Sequence, residues 1–87
     1  MTDRIELPAI LTREAIPGLW SQPWAECVSM DLRQVTELDS AGVGFLVHWA
    51  AERRRRNCSA TVIGGPETFD NLTAIYGVSE LFSRQSD

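Results

Sequence analysis

Segments whose apolar residues fall at every second position alternate three times with segments whose apolar residues recur at helical spacing, all within 87 residues. That alternation is the strongest constraint on the fold, because strand–helix–strand units close onto a parallel sheet through right-handed crossovers. Arg4-Ile5-Glu6-Leu7 alternates polar and apolar like a short strand, and Pro8 behind it suits a strand end or a sheet edge. Thr12 is placed to cap a helix running toward Trp20, with Pro17 and Gly18 inside it implying a kink. Cys27 to Leu32 reads as a second strand, followed by a turn over 33–38. Ser40 is then placed to cap the longest helix, from Ala41 to about Arg56. Ala60 to Ile63 is a third strand of buried type, and Gly64-Gly65-Pro66 turns it into a third helix holding Phe69, Leu72 and Ile75, ended by Gly77. Val78 to Phe82 fits either a short last strand or a packed tail. The expected class is a small α/β layer forming one domain over 1–87.

Composition narrows what such a layer does. The chain is 44% hydrophobic and 23% charged, which suits a compact soluble protein. Its longest stretch free of Asp, Glu and Arg, Ser40 to Ala51, is far short of the roughly 20 apolar residues a spanning helix needs. Met1-Thr2-Asp3-Arg4 lacks the basic and apolar regions of a secretory signal, so a cytoplasmic location is expected. The net charge is −4 and all eight basic residues are arginine, half of them in the run Arg53 to Arg56. The rest of the chain is strongly acidic, which disfavours nucleic acid as a partner. The run itself falls at the C-terminal end of the second helix, where cations complement the macrodipole. Cys27 and Cys58 have no metal-type spacing and are expected to be buried free thiols, each near the start of a strand.

No catalytic constellation emerges. Ser40 and His48 lie eight residues apart on one helix, about 12 Å at the helical rise, so the imidazole cannot take the serine proton. No GxxxxGK[ST] loop is present, and Gly64-Gly65-Pro66 reads as a strand-to-helix turn. No cofactor or metal is expected.

Projection of the second helix at about 100° per residue groups Val43, Leu46, Val47 and Ala50 as the stripe that packs on the sheet. Ala41, Phe45, His48, Trp49 and Glu52 fall on the far side. An aromatic pair one turn apart and opposite the core stripe is what a binding surface would carry, unless neighbouring helices cover it.

The segment Asp31-Leu32-Arg33-Gln34-Val35-Thr36-Glu37-Leu38-Asp39-Ser40-Ala41-Gly42-Val43-Gly44 consists of a strand ending in Asp-Leu, a turn, and Asp-Ser-Ala-Gly opening a helix. It resembles the STAS domain family, shared by anti-sigma-factor antagonists and sulfate-transporter tails. Pro17-Gly18-Leu19-Trp20, Leu46-Val47-His48-Trp49 and Ala74-Ile75-Tyr76-Gly77-Val78 extend the similarity over nearly the whole chain, most of all to the MlaB-like branch of Gram-negative phospholipid ABC transporters. The resemblance implies a SpoIIAA-like fold, one strand short of the family because only three residues precede Arg4, so that the first strand becomes an edge. It also implies a non-enzymatic subunit that binds the transporter's MlaF-like ATPase, in a complex with a permease and a substrate-binding subunit. Such a subunit sits at the inner face of the inner membrane through that partner, with no insertion of its own. Asp39, Ser40, Ala41, Gly42, Phe45, His48 and Trp49 are the partner-binding residues so implied. Ser40 also matches the phosphorylated position of the antagonists, whose phosphate would add roughly −1.5 to −2 charges at the docking end. An antagonist switched at Ser40 is therefore the second reading.

Overall fold

The computed structural model describes residues 4–85. Four short parallel strands form the main sheet: β1 Arg4–Glu6, β3 Ser29–Asp31, β5 Thr61–Ile63 and β6 Ser83–Gln85, in the spatial order β1-β3-β5-β6. Ile5, Met30, Val62 and Arg84 lie in one row across all four strands. Two further strands, β2 Ile10–Leu11 and β4 Glu37–Leu38, pair parallel as a separate ribbon. Three helices, α1 Ile16–Trp20, α2 Ser40–Arg55 and α3 Glu67–Ile75, supply the crossovers.

Because the main strands follow one another in space in sequence order, right-handed crossovers put every helix on the same face of the sheet. α2 is then the central helix, with α1 on one side and α3 on the other. The core lies between helices and sheet: Ile5, Met30 and Val62 meet Phe45, Leu46, Trp49 and Phe69, all nearly or fully buried.

The sheet, the three helices and their order agree with the sequence reading, and the differences lie at the ends of elements. The last strand begins after Phe82, since Ser79–Leu81 forms a 3-10 turn before β6. The 33–38 turn ends in β4, which only its pairing with β2 makes a strand. Thr12 stands at the cap position of a 3-10 turn, Arg13–Ala15, but its hydroxyl donates to the Glu14 carboxylate instead of capping. Ile75 is 75% exposed, whereas Phe69 and Thr73 are the buried members of α3. Cys58 is exposed, contrary to expectation, because α2 ends in a left-handed Asn57 (φ 60°) that turns the chain outward before β5; Cys27 is buried. Among the described residues β1 pairs only with β3, as an edge strand does. The expected lack of a strand ahead of Arg4 lies outside the described residues.

Both long helices end in the same hydrogen-bonded signature. At α2 the Asn57 N–H donates to Arg54 O (2.9 Å) and the Cys58 N–H to Arg53 O (2.8 Å). At α3 the Gly77 N–H donates to Ala74 O (3.1 Å) and the Val78 N–H to Thr73 O (2.9 Å), with Gly77 at φ 70°. These are Schellman closures, which satisfy carbonyls that would otherwise be left bare.

Candidate protein-docking face

The start of α2 is built around Asp39. It occupies the N-cap with extended backbone, and its Oδ1 accepts the Gly42 N–H at 2.9 Å. Its Oδ2 accepts the Arg13 N–H at 3.1 Å, tying the segment after β2 to the same carboxylate. These bonds, the Gly42 one foremost, hold the Asp39 carboxyl below its usual value. Asp39 therefore does the capping assigned to Ser40 from the sequence. Ser40 is the first residue of the helix proper, exposed and free of any role in closing it.

Gly42 lies against the β2 backbone. A Cβ there would overlap the Leu11 carbonyl oxygen and come 2.8 Å from Leu38 Cδ1. The Asp-Ser-Ala-Gly sequence thus has two structural members, Asp39 as cap and Gly42 as close approach, while Ser40 is presented to solvent and Ala41 is half-buried.

The expected orientation of the aromatics is corrected by the packing. Phe45 is 2% exposed and Trp49 is fully buried, with the Trp49 indole N–H donating to Cys27 O at 3.0 Å. The surface of α2 that does face solvent runs through Ser40, Gly44, His48, Ala51 and Arg55, with Val47 half-buried beside it. The projection went wrong by less than a quarter turn. A central helix on a one-sided sheet buries its flanks against α1 and α3 as well as its base, so the apolar arc is wider than one stripe.

The aromatic group that does reach solvent comes from other elements. The Trp20 ring, 39% exposed at the end of α1, stacks edge-on against Phe45 (centroids 4.7 Å), His48 (5.1 Å) and Trp24 (4.9 Å). Trp24 in turn meets His48 at 5.2 Å. Trp20 thus covers Phe45 and itself borders the open face of α2. Its place beside α2 required the fold; the sequence signal was its position at the polar end of a short helix already rich in Pro and Gly.

At the other end of α2 the arginine run divides. Arg53 is buried and donates through Nε to Ser59 O at 3.0 Å. Arg55 and Arg56 both bind Glu52, and the Arg55 guanidinium holds the Glu52 carboxyl below its usual value. Arg54 is exposed. Below the sheet's carboxyl edge, Asp31 is buried and takes both the backbone and the guanidinium of Arg33, whose side-chain bonds hold its carboxyl low.

Ser40 and His48 remain two turns apart on one continuous helix. Among the described residues no pocket opens, and no group of three His, Cys, Asp or Glu side chains is placed to hold a metal ion. No helix among them is long and apolar enough to cross a membrane. What the surface offers is an open helix face edged by an exposed tryptophan, a shape suited to another protein.

No curated protein matches the chain. A family model described as MlaB, STAS domain, matches residues 2–83, which include every element from β1 to the start of β6. With its one-sided parallel sheet, three crossover helices and Asp-Ser-Ala-Gly helix start, the chain belongs to the STAS domain family, in the MlaB type.

Proposed function

We propose that this chain is a non-enzymatic accessory subunit that binds and stabilises the ATPase of a phospholipid-transport ABC complex of the Mla type. The observation that carries the reading is the Trp20 indole, partly exposed and seated on Phe45 and His48 beside the open face of α2, in a chain of MlaB type. A large aromatic side chain held rigidly at the edge of a smooth helix face is the kind of anchor that dominates protein interfaces. The partner would contact Ser40, Gly44 and His48 along α2, with Trp20 filling a recess on the ATPase. Asp39, Ala41 and Gly42 act in shaping the helix start, while Phe45 and Trp49 support the face from below. The ATPase hydrolyses ATP, and this chain biases its assembly from the cytoplasmic side, held at the membrane by that partner and its permease.

One observation favours a second reading, an anti-sigma-factor antagonist switched by phosphorylation. The Ser40 side chain is exposed at the first turn of α2 and takes no part in capping, so modification there would leave the fold intact. Affinity purification of the tagged chain from native extract separates the two. An ATPase recovered with a permease supports the first reading; a small serine kinase, with a phosphate mass increment on Ser40, supports the second and overturns the first.

A further inference from the structure

We infer that the C-terminal end of the open α2 face receives an acidic segment of the partner ATPase, with Arg54 as the anchoring cation and Arg55 flanking it. That this partner is the ATPase rests on the accessory-subunit reading; the chemistry of its contact surface is read from the charges on α2. The solvent-facing residues of the helix down to its last turn are Ser40, Gly44, His48, Ala51, Arg54 and Arg55, with no carboxylate among them. On a chain whose net charge is −4, such a face is a local reversal of sign. Opposite potentials across an interface steer the two proteins together and fix their register.

The arginine run is divided so that one guanidinium stays unengaged. Arg53 is buried and donates to Ser59 O, and Arg56 is bound to Glu52. Arg55 also binds Glu52, yet its side chain remains 71% exposed. Among the described residues no hydrogen bond or ion pair engages the Arg54 guanidinium, which is open to water. At about 100° per residue, Arg54 and Arg55 project to either side of Ala51, one turn earlier, so two cations flank a small apolar side chain. A carboxylate seated there meets the fork of Arg54 through two parallel N–H donors, a contact selective in geometry as well as charge. Trp20 stacks on His48, which precedes the two arginines by about 10 Å of helix rise. The complementary surface therefore carries an apolar recess for the indole and, about 10 Å along, one or more Asp or Glu side chains.

Anionic lipid is the competing source of negative charge. Two cations on this face fall short of the roughly four to eight clustered basic residues that bind acidic membranes, and the net charge of −4 opposes such a surface.

The test is the affinity of the intact chain for the Mla-type ATPase of the same organism, measured by calorimetry at NaCl concentrations from about 50 to 500 mM. Arg54→Glu should weaken binding by about tenfold or more and flatten its salt dependence, with circular dichroism and melting temperature showing a folded chain. Arg54→Lys, which keeps the charge and loses the fork, should fall between that variant and the parent. Arg4→Glu changes the net charge equally, on the sheet face opposite the one that Ile5 turns to the helices, and should bind within about twofold of the parent. A parent chain that does not bind the ATPase at any salt concentration overturns the accessory-subunit reading and this inference with it. A complex that Arg54→Glu leaves as tight as the parent's, or that Arg4→Glu weakens equally, overturns the inference alone. So does binding of the parent to phosphatidylglycerol vesicles that Arg54→Glu abolishes while the ATPase complex stays intact.

Discussion

The carbonyl oxygen of Leu11 occupies the space that a side chain on Gly42 would need, so β2 and the first turn of α2 touch backbone to backbone. A methyl group added there meets backbone that cannot swing aside. Replacing an interior helical glycine by alanine normally gains about 1 kcal/mol. Here the steric clash should reverse that sign: we expect Gly42→Ala to lower the melting temperature, by an overpacking cost of roughly 1–3 kcal/mol. Gly44→Ala, two residues along the same helix with open space around it, should raise it. Thermal unfolding of the two variants side by side checks the contrast.

Trp49 belongs to the core. Trp49→Ala should cost about 3–5 kcal/mol and leave the chain largely unfolded, a small domain having little stability to spare. Trp49→Phe keeps most of the packing but loses the indole hydrogen bond to the Cys27 carbonyl, which should cost about 0.5–1.5 kcal/mol. Denaturant unfolding of both variants gives the numbers; a Trp49→Ala protein as stable as the parent would return Trp49 to the surface.

Trp20 takes the surface position that helical projection assigned to Trp49. Trp20→Ala should stay folded, losing edge contacts on a ring already partly in water, and, if the proposed ATPase is the partner, should weaken that binding by about 2 kcal/mol or more. Ser40→Ala should leave stability within about 0.5 kcal/mol of the parent, since Asp39 is the cap. Ser40→Glu should preserve folding, an acid in the first turn being favourable, while weakening partner binding through its bulk and charge. Circular dichroism with parallel pull-down separates the two effects.

Asp39 and Asp31 both have carboxyls held below their usual value of 3.8, Asp39 by the Gly42 N–H first and Asp31 by the Arg33 side chain first. Folding therefore favours their ionised forms. Their contribution is complete above the unfolded pKa near 4 and is lost as pH falls through the lower, folded values. We expect stability to be flat with respect to these groups from about pH 5 upward and to fall below pH 4. Asp39→Ala should cost about 1–2 kcal/mol at neutral pH and flatten part of the acid limb of a stability-versus-pH curve.

Cys58 and Cys27 should differ in reactivity. A maleimide added to native protein should label one thiol per chain, at Cys58, and the second only after unfolding, because Cys27 is buried under α2. Peptide mapping of the labelled protein identifies the site.

The order of elements, the parallel sheet, the buried strands and the Asp-Ser-Ala-Gly helix start were all legible in the sequence. Each follows from interactions among near neighbours: apolar periodicity, turn residues, and a cap closing on a backbone N–H three positions away. The β2–β4 ribbon was not legible, because two-residue strands carry no period and exist only through pairing across 27 positions. Asp39 over Ser40 as the cap was decided by a backbone register in which Asp39 is still extended while Ser40 is already helical, and by its second bond to Arg13, 26 positions away. The directions of Phe45 and Trp49 depended on how many neighbours α2 has. One-dimensional projection counts a single buried side, whereas a central helix on a one-sided sheet is covered from three. Local chemistry in the sequence set which elements form and where they start; which side chains of α2 reach solvent was set by the number and position of the elements packed around it, which only the tertiary structure fixes.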